Sequence, residues 1–242
     1  MKSIGFFACS NGYGHYKRIS EIASLLSNDF DITIYASYFQ IKKLGQVENC
    51  KHVELKLDNI RWDKTISESN INFGKYIKGI EEYKDLLIKH DHIVSDNIVG
   101  VLEHRPDAIL LGSFLWKDVY KAKFGSNVLY DYDSNLLEKH NPLLITNKYA
   151  ETGGVVLYDN KVQFGFGCKA SSYTEFKVDK VLTVEPSLNY LNSYANFFKG
   201  LNVNATKDFS LTKNIVIMSR PGLGIITHCV EHHIPLIALY DN

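Results

Sequence analysis

The sequence predicts an α/β protein built on parallel sheets. Short apolar runs without polar alternation indicate strands that are buried on both faces, and such runs lie near both ends of the chain. Two of them precede a glycine-containing turn and a stretch of apolar residues at helical spacing, which is the pattern of a βαβ unit. The 242 residues exceed the usual domain size of about 100 to 150. The sequence therefore predicts one large domain or two unequal ones.

The N-terminal elements follow this pattern in order. An apolar run at 4–9 predicts the first strand, 10–14 supply the turn, and apolar spacing predicts a helix over 15–26. Residues 31–36 predict the second strand. Apolar residues at helical spacing over 73–87 predict one face of an amphipathic helix. We interpret this helix as a cover for the sheet, and a surface that faces an acceptor or a membrane is the alternative.

The later elements alternate in the same way. An apolar stretch over 94–102 stops before Pro106, and 108–112 predict a further buried strand. Weaker strand candidates lie at 127–132, 143–146, 155–158 and 162–165. The C-terminal part predicts strands at 181–184, 214–218 and 235–239, with helices at 188–198 and 224–232.

Composition excludes several classes of function. Lys plus Arg and Asp plus Glu each total 27, so the chain has no basic excess for nucleic acid. The four cysteines, Cys9, Cys50, Cys168 and Cys229, are too widely spaced for a disulfide framework or a zinc site, which favours a reducing cytoplasm. The first apolar run is too short for a signal peptide, and no stretch reaches the roughly 20 apolar residues of a spanning helix. Contact with a membrane surface is left open.

The first motif, NGYGHYKR at 11–18, lies between the first predicted strand and helix. Gly12 and Gly14 allow a sharp turn and close approach of a ligand. The helix N-terminus favours an anion, and His15 at its edge is a candidate general base. A capping or packing role is the alternative for His15. Lys17 and Arg18 are candidates for phosphate contacts or for solvated surface positions.

The second motif, SRPGLGIITHCVE at 219–231, uses the same physics. Pro221 and Gly222 form the turn, and the backbone N–H groups of Leu223, Gly224 and Ile225 are candidates to hold a diphosphate, with Arg220 adding positive charge. Thr227 and Glu231 share a helix face that offers a hydroxyl and a carboxylate to a ribose. Simple capping by Thr227 and solvation of Glu231 are the alternatives.

Histidine pairs raise the question of a metal site. His228 and His232 are four residues apart on the predicted helix, and His90 and His92 form a second pair. The first pair has no carboxylate at a recognisable third position, and the second is more typical of a solvated turn, so we predict no metal site. Asp96, at the end of an apolar pair, is a candidate to orient His15 if the first sheet brings the two side chains together.

Together the two motifs resemble those of GT-B glycosyltransferases, in particular the group that includes the bacterial enzyme adding N-acetylglucosamine to make lipid II. Gly12, Gly14 and His15 match the N-terminal glycine-rich loop of this group, and 219–224 with 234–236 match its donor loop and following strand. The resemblance implies two Rossmann-like domains, the first for the acceptor and the second for the nucleotide-sugar. We assign these to 1–180 and 181–242, the second being abridged.

The resemblance also implies an activity. His15, oriented by Asp96, would deprotonate an acceptor hydroxyl, and the loop at 222–225 would stabilise the departing diphosphate. Transfer would invert the anomeric carbon and need no metal or further cofactor, with a UDP-sugar as co-substrate. The substrate-binding set is Gly12, Tyr13, Gly14, Arg18, Arg220, Gly222, Leu223, Gly224, Ile225, Thr227, His228, Glu231, Asp241 and Asn242. A sugar or lipid-linked acceptor, in cell-surface polysaccharide or glycolipid synthesis at the inner membrane face, is implied.

The sequence departs from the family pattern in three places. His228 stands where a glutamate for the ribose is usual, and His233 replaces a common glycine. Only about 60 residues follow Lys180, so we expect an abridged donor half or a cut chain, with Asp241 and Asn242 at the start of a segment that touches the donor sugar. A nucleotide-sugar hydrolase and a non-catalytic or partner-dependent subunit therefore stay as alternatives, the latter as a homodimer or with a second protein.

Overall fold

The computed structural model describes residues 1–57, 73–148, 150–164, 180–183, 203–205, 215–219 and 223–238. The chain divides into two compact units, Met1–Gly165 and Phe166–Asn242, and the division falls earlier in the chain than the boundary at 180 used above. Each unit contains a sheet in which all paired strands run parallel. The predicted α/β class with Rossmann-like parallel sheets is therefore confirmed.

The first unit carries a seven-stranded sheet. Its strands are β1 (Ser3–Ala8), β2 (Asp31–Ala36), β3 (Lys51–Glu54), β4 (His92–Asp96), β5 (Ile109–Leu111), β6 (Leu144–Asn147) and β7 (Lys161–Phe164). The spatial order is β3-β2-β1-β4-β5-β6-β7. The chain leaves β1 toward β2 and β3 on one side and returns to β4 on the other side of β1. Its order thus reverses between β1 and β4, which is where doubly wound sheets form a ligand crevice.

Six α-helices cover this sheet in the described part of the first unit: α1 (Gly14–Leu26), α2 (Tyr38–Leu44), α3 (Phe73–Glu82), α4 (Lys84–Lys89), α5 (Trp116–Phe124) and α6 (Val128–His140). Two apolar clusters lie on the sheet. One includes Tyr16 and Ile19 of α1 against β1 and β2, and the other includes residues of α3, α5 and α6. Because both faces of the sheet are buried, its central strands β1 and β2 are mostly apolar, as the sequence predicted.

The predicted helix over 73–87 is two helices. α3 ends at Glu82, and α4 begins at Lys84 after Tyr83, which adopts φ −99° and ψ 1°. The Tyr83 hydroxyl accepts a hydrogen bond from the backbone N–H of Lys56 at 2.7 Å and lies 3.3 Å from the carbonyl oxygen of Glu54. Tyr83 is thus tied to the segment after β3, and the apolar spacing continues across the break because Leu87 is also buried.

The strand expected at 127–132 is wrong, because these residues begin α6. Asn127 caps the helix by accepting a hydrogen bond from the backbone N–H of Tyr130 at 3.1 Å, and Asp131 lies in the first turn. Both features favour a helix start. The buried residues Leu129, Asp133, Leu136 and Leu137 follow helical spacing. The cap at Asn127 and the helical spacing of the buried residues together explain why this segment is a helix.

Two short 3₁₀ helices occupy apolar stretches. The stretch over 94–102 contains the end of β4 and then a 3₁₀ helix at Val99–Glu103. The strand expected at 155–158 is also wrong: a 3₁₀ helix at Gly153–Val155 and a turn stand there. The carboxylate of Asp118 accepts a hydrogen bond from the backbone N–H of Gly154 at 2.9 Å, which anchors this segment to α5 instead of to a neighbouring strand.

The second unit carries a four-stranded sheet in the described residues. Its strands are β8 (Lys180–Thr183), β9 (Val203–Ala205), β10 (Ile215–Ser219) and β11 (Leu236–Ala238), and α7 spans Leu223–Glu231 between β10 and β11. The spatial order β11-β10-β8-β9 reverses between β8 and β10. A small core contains Ile217, Cys229 and Ile234. The helix expected at 188–198 lies outside the described residues.

No helix among the described residues is both long enough and apolar enough to cross a membrane.

Candidate active site

The first sequence motif lies at the point where the order of the large sheet reverses. Residues 9–13 follow the carboxyl end of β1, and Asp96 is the last residue of β4 beside it. The two strand ends are joined by a hydrogen bond from the backbone N–H of Cys9 to the carbonyl of Asp96 at 3.1 Å. The glycine loop and Asp96 therefore share the crevice that this topology provides for a ligand.

The glycine loop has a defined shape. Gly12 adopts φ +90°, a conformation that suits a residue without Cβ, and its N–H donates to the carbonyl of Ser10 at 2.9 Å. Neither Gly12 nor Gly14 has a neighbour within 4 Å of where a Cβ would stand. The space over the loop is open, as close approach of a ligand requires. Tyr13, which is half exposed, is the residue just before α1.

A buried glutamine from α2 holds this loop. The Gln40 side chain, 1% exposed, donates from Nε2 to the carbonyl oxygens of Cys9 and Gly12, each at 2.7 Å. Its Oε1 accepts from the N–H and from the hydroxyl of Ser37, both at 3.0 Å, within the capping box of α2. Gln40 was absent from the predicted site. The signal was present in the spacing of Ser37 and Gln40, which is that of a capping box.

His15 and Asp96 are in direct contact. The Nδ1 atom of His15 lies 2.8 Å from Oδ1 of Asp96, and both residues are buried. With Asp96 ionised, Nδ1–H donates to the carboxylate, and the free lone pair of the imidazole lies on Nε2. Among the described residues no hydrogen bond to Nε2 is present. A histidine held in this way by a carboxylate is oriented to accept a proton at Nε2.

Arg18 completes the group from the next turn of α1. Its Nε and Nη2 donate to the two oxygens of Asp96 at 2.7 Å each, a bidentate pair. Burial by itself raises the pKa of Asp96, but the charges and hydrogen bonds of His15 and Arg18 outweigh it, so that the pKa lies below its ordinary value. Asp96 is therefore ionised at neutral pH. The Arg18 guanidinium is bonded to protein here, while Lys17 is an exposed partner of Glu21 at 3.9 Å.

Aromatic side chains flank the histidine. The ring of Phe114 stands edge-on to His15 at 6.3 Å between centroids and to Trp116 at 5.1 Å. The Trp116 indole donates to Sγ of Cys9 at 3.2 Å. Burial raises the pKa of Cys9 to about 12, so its thiol is not a nucleophile at neutral pH. Phe114 and Trp116 were not predicted for the site, because the predicted strand at 108–112 places them just after β5 but does not show that this strand end lies near His15.

The second motif also follows a strand at a reversal of strand order. α7 begins at Leu223, so the N–H groups of Leu223, Gly224 and Ile225 belong to its first turn, where intrahelical acceptors are missing. Ile225 packs against the small core of this unit. Thr227 lies in the middle of α7. The predicted ligands Arg220, Gly222, Asp241 and Asn242 lie outside the described residues.

The histidines of the second motif have separate surroundings. The rings of His228 and His232 lie 4.5 Å apart between centroids, and Glu231 is exposed beside them. In the described parts of the chain no three His, Cys, Asp or Glu residues are grouped as metal ligands. His233 adopts φ +55°, and the N–H of Ile234 reaches back to the carbonyl of Cys229 at 2.9 Å, as at a glycine-type helix end. This left-handed position explains why a glycine is common there.

Solved structures of other proteins are similar to this chain along nearly its whole length. CalG4, the calicheamicin glycosyltransferase, superimposes with a TM-score of 0.64 at 13% identity over 99% of this chain and 79% of its own. MurG of Acinetobacter baumannii gives a TM-score of 0.59 at 9% identity, with 99% and 79% coverage. UGT2 of Phytolacca americana, complexed with UDP-2fluoro-glucose and pterostilbene, gives 0.59 at 11% identity, with 99% and 80% coverage.

No protein-family model and no curated protein matches the sequence. At identities of 9% to 13%, the structural similarity defines the fold alone. The fold is that of the GT-B glycosyltransferases, as the two motifs predicted.

Proposed function

We propose that this protein transfers a sugar from a nucleoside-diphosphate donor to an acceptor hydroxyl. The observation that carries the proposal is the buried group of His15, Asp96 and Arg18 at the strand-order reversal of the first sheet. A buried carboxylate that is bonded to both an arginine and a histidine stabilises the imidazolium that forms on proton transfer. The GT-B fold of glycosyltransferases supports the same reaction class by analogy.

The reaction follows from this geometry. Nε2 of His15 takes the proton of the acceptor hydroxyl as the acceptor oxygen bonds to the anomeric carbon of the donor. The bond between that carbon and the diphosphate oxygen breaks, and the diphosphate leaves with the electron pair. Attack from the face opposite the leaving group inverts the anomeric carbon. Asp96 keeps Nδ1 protonated throughout, and Arg18 keeps Asp96 ionised.

The second unit supplies the donor site in this proposal. The first-turn N–H groups of α7, at 223–225, hydrogen bond the diphosphate and, with the helix dipole, stabilise its developing charge. Because these donors and Arg220 carry the charge, the proposed reaction requires no metal ion. A uridine nucleotide is the proposed donor carrier, since UGT2 binds UDP-2fluoro-glucose and LpCGTa was solved in complex with UDP.

The acceptor in this proposal is a sugar or a lipid-linked glycan of cell-surface polysaccharide or glycolipid synthesis. We place the reaction in the cytoplasm, where the free thiols Cys9, Cys50 and Cys229 stay reduced, or at the inner membrane face. The motif resemblance to the lipid II-forming group supports this placement.

Nucleotide binding by the purified 242-residue chain tests the donor half of the proposal. Isothermal titration with UDP, GDP, CDP and TDP should show saturable binding that is strongest for UDP. Gly222→Asp places a carboxylate in the diphosphate loop and should abolish it. Gly74→Asp, at an exposed position near the start of α3, is the matched control and should bind as the parent does. Absence of binding to every nucleotide contradicts an autonomous transferase and favours the partner-dependent subunit.

Release of UDP from UDP-sugars, with and without candidate acceptors, tests the catalytic half. His15→Gln should remove release, while His92→Gln, an exposed histidine on β4, should leave it unchanged. Release that is faster with an acceptor and yields a glycosylated product supports transfer. Release at the same rate in water alone identifies the nucleotide-sugar hydrolase instead.

A further inference from the structure

A second group of buried polar side chains lies near the pair of His15 and Asp96. It is next to the end of β4. Asn97 follows Asp96 at the end of β4, and a small cavity opens between it, Trp116 and Asp133 of α6. The volume of the cavity is about 20 Å³, which holds one water-sized group. Tyr76 of α3 and Leu129 of α6 complete its inner wall, whereas α1 lies on the opposite face of the sheet.

Two of the residues that line this cavity, Asn97 and Asp133, have polar side-chain atoms without partners among the described residues. Both Nδ2 and Oδ1 of Asn97 are buried without a hydrogen bond, as is Oδ1 of Asp133. The two residues are 7% and 3% exposed. A buried donor or acceptor without a partner costs roughly 1 to 3 kcal/mol of folding free energy. Three such atoms around one cavity therefore destabilise the folded protein. By contrast, the nearby amide of Gln40 is fully bonded at both ends.

The conformation of Asn97 holds its amide in place. Its backbone is in the left-handed region at φ +60°, and its N–H donates to the carbonyl of Leu111 at 3.0 Å. Gly112 gives it room, because a Cβ there would lie 2.6 Å from Oδ1 of Asn97. Asparagine tolerates this backbone conformation better than most residues. The amide is thus fixed by its surroundings without being hydrogen bonded by them.

Asp133 presents a neutral carboxylic acid to the cavity. Burial raises its pKa to about 8, and the charge of Asp118 adds to the shift while Lys117 opposes it. At neutral pH the group therefore carries a proton and can both donate and accept a hydrogen bond. With the Asn97 amide, which also does both, it complements an uncharged group of the same kind. A hydroxyl or a carboxamide satisfies both, whereas a carboxylate or an ammonium cannot.

The cavity is lined in part by the same loop and strand end that carry the glycine motif and Asp96. Asn11, partly exposed, lines it from the glycine loop, and Trp116, also partly exposed, lines it from the start of α5. The ring of Phe114 contacts both Trp116 and His15. A ligand whose hydroxyl reaches Nε2 of His15 is therefore close to the side chains at the mouth of the cavity.

We propose that this cavity is a recognition pocket that receives one neutral hydrogen-bonding group of the acceptor, a hydroxyl, between Asn97 and Asp133. That the ligand is the acceptor rests on the proposed function, whereas the preference for a neutral group rests on the cavity itself. The pocket selects the charge of the acceptor near its reacting hydroxyl. Acceptors that carry a carboxylate or an ammonium group at this point are excluded, because either ion would be buried without a counter-charge.

Small probes test the pocket without donor or turnover. Methanol and formamide carry only the group that the pocket is inferred to hold, and formate and methylammonium are charged probes of similar size. In ¹H–¹⁵N spectra of the full chain at pH 6.5, methanol and formamide should shift the Asn97 side-chain amide saturably. The indole N–H of Trp116 should shift with it. Formate and methylammonium should bind at least about fivefold more weakly, a difference of about 1 kcal/mol.

Variants connect the shifts to the pocket. Asp133→Asn keeps a neutral donor and acceptor and should keep probe binding, whereas Asp133→Leu should remove it. Asp131→Leu, at an exposed position of the same helix, is the matched control and should bind the probes as the parent does. Equal shifts from all four probes, no saturable shift with the neutral ones, or unchanged binding in Asp133→Leu would overturn the proposal and leave a cavity that holds water only.

The two proposals fail separately. His15→Gln should leave probe binding intact while it removes transfer. Probe binding without any nucleotide binding or transfer sustains the pocket and contradicts the transferase. Transfer without probe binding sustains the transferase and contradicts the pocket. Once an acceptor is known, Asp133→Leu should raise its KM at least about tenfold with the donor KM unchanged, equivalent to about 1.4 kcal/mol.

Discussion

Two buried carboxylates of the first unit, Asp96 and Asp133, have opposite chemistry. Both are almost fully excluded from solvent, at 0% and 3% exposure. Asp96 is bonded by His15 and by both arms of Arg18, and its pKa lies below the ordinary value in spite of burial. Asp133 has an oxygen without a partner, and burial raises its pKa to about 8.

The difference teaches that partners, more than depth of burial, decide the charge of a buried acid. A bidentate arginine supplies the counter-charge that desolvation demands, so Asp96 can act as a fixed anion behind a histidine. For Asp133 the opposing charge is that of Lys117, whose ammonium is bonded to Asp118 at 2.7 Å. The first unit thus holds a charged acid and a neutral one, which suits a proton acceptor beside the first and an uncharged ligand group beside the second.

The largest expected effect comes from removing the charge of Asp96. Asp96→Asn can present its amide N–H to Nδ1 of His15 and so favour the wrong tautomer, with the proton on Nε2. The rate of sugar transfer should fall roughly 10³- to 10⁴-fold. The measurement is the initial rate at saturating donor, with Asp85→Asn, an exposed acid of α4, as the control. A loss below tenfold would show that Asp96 serves packing alone.

Removing Arg18 should destabilise the folded protein, because Asp96 then loses the counter-charge of the guanidinium. Arg18→Met leaves Asp96 buried with only His15 as partner and should lower the free energy of unfolding by about 3 kcal/mol at pH 7. Because the pKa of Asp96 is depressed in the folded protein, its ionised form stabilises the fold above the unfolded pKa, and this contribution disappears as pH falls through the folded pKa. Urea unfolding at pH 7 and pH 3 should therefore show a smaller loss at pH 3. Lys17→Met, at an exposed neighbour, should change little at either pH.

Asp133→Asn should increase the free energy of unfolding, whereas Arg18→Met should decrease it. The folded pKa of about 8 lies above the unfolded one, so between these pKa values the folded state holds the extra proton and stability falls as pH rises. The asparagine variant lacks this penalty, so its stability relative to the parent should rise from pH 4 to pH 8 and reach about 5 kcal/mol at pH 9, since each unit of pKa difference contributes about 1.4 kcal/mol. Near pH 4 the two proteins should be equal. A constant difference across urea titrations from pH 4 to 9 would contradict the raised pKa.

The smallest effects extend the comparison to two buried amides. Gln40→Leu removes two donors from the glycine loop and should cost about 1 to 2 kcal/mol of stability. Asn97→Gly removes an amide without partners from a position at φ +60° and should change stability by less than about 1 kcal/mol. Thermal unfolding of both variants beside the parent measures this. Equal losses would mean that Asn97 is as well bonded as Gln40.

Much of the fold was predictable because the hydrophobic pattern and the strand geometry agree. The run at 31–36 corresponds to β2 (Asp31–Ala36), and the glycine turn before α1 lies where Gly12 and Gly14 predicted it. The break at Tyr83 was not predictable, because it depends on hydrogen bonds to Glu54 and Lys56 that the spacing of apolar residues does not reveal. α6 was missed because two apolar residues after Asn127 outweighed its cap.

The site was predictable at its chemical residues and not at its supports. His15 followed from the motif, and Asp96 from its place at a strand end, but their contact required the strand order to be known. Arg18 was a candidate phosphate ligand, and only the folded structure shows that it bonds Asp96 at the end of β4. The polar pocket of Asn97 and Asp133 joins residues 36 positions apart whose burial no local pattern indicates.

The strand order also determines when β1 can pair with each of its neighbours during synthesis. Ser3 beside β1 and Asp91 before β4 are hydrogen bonded across 88 residues of sequence. At roughly 5 to 20 residues per second, the ribosome takes roughly 4 to 18 s to make the intervening chain. For that interval β1 has β2 as its available neighbour and an open edge on the side that β4 later covers. His15 leaves the ribosome well before its carboxylate partner, so the nascent chain needs protection from association until β4 arrives.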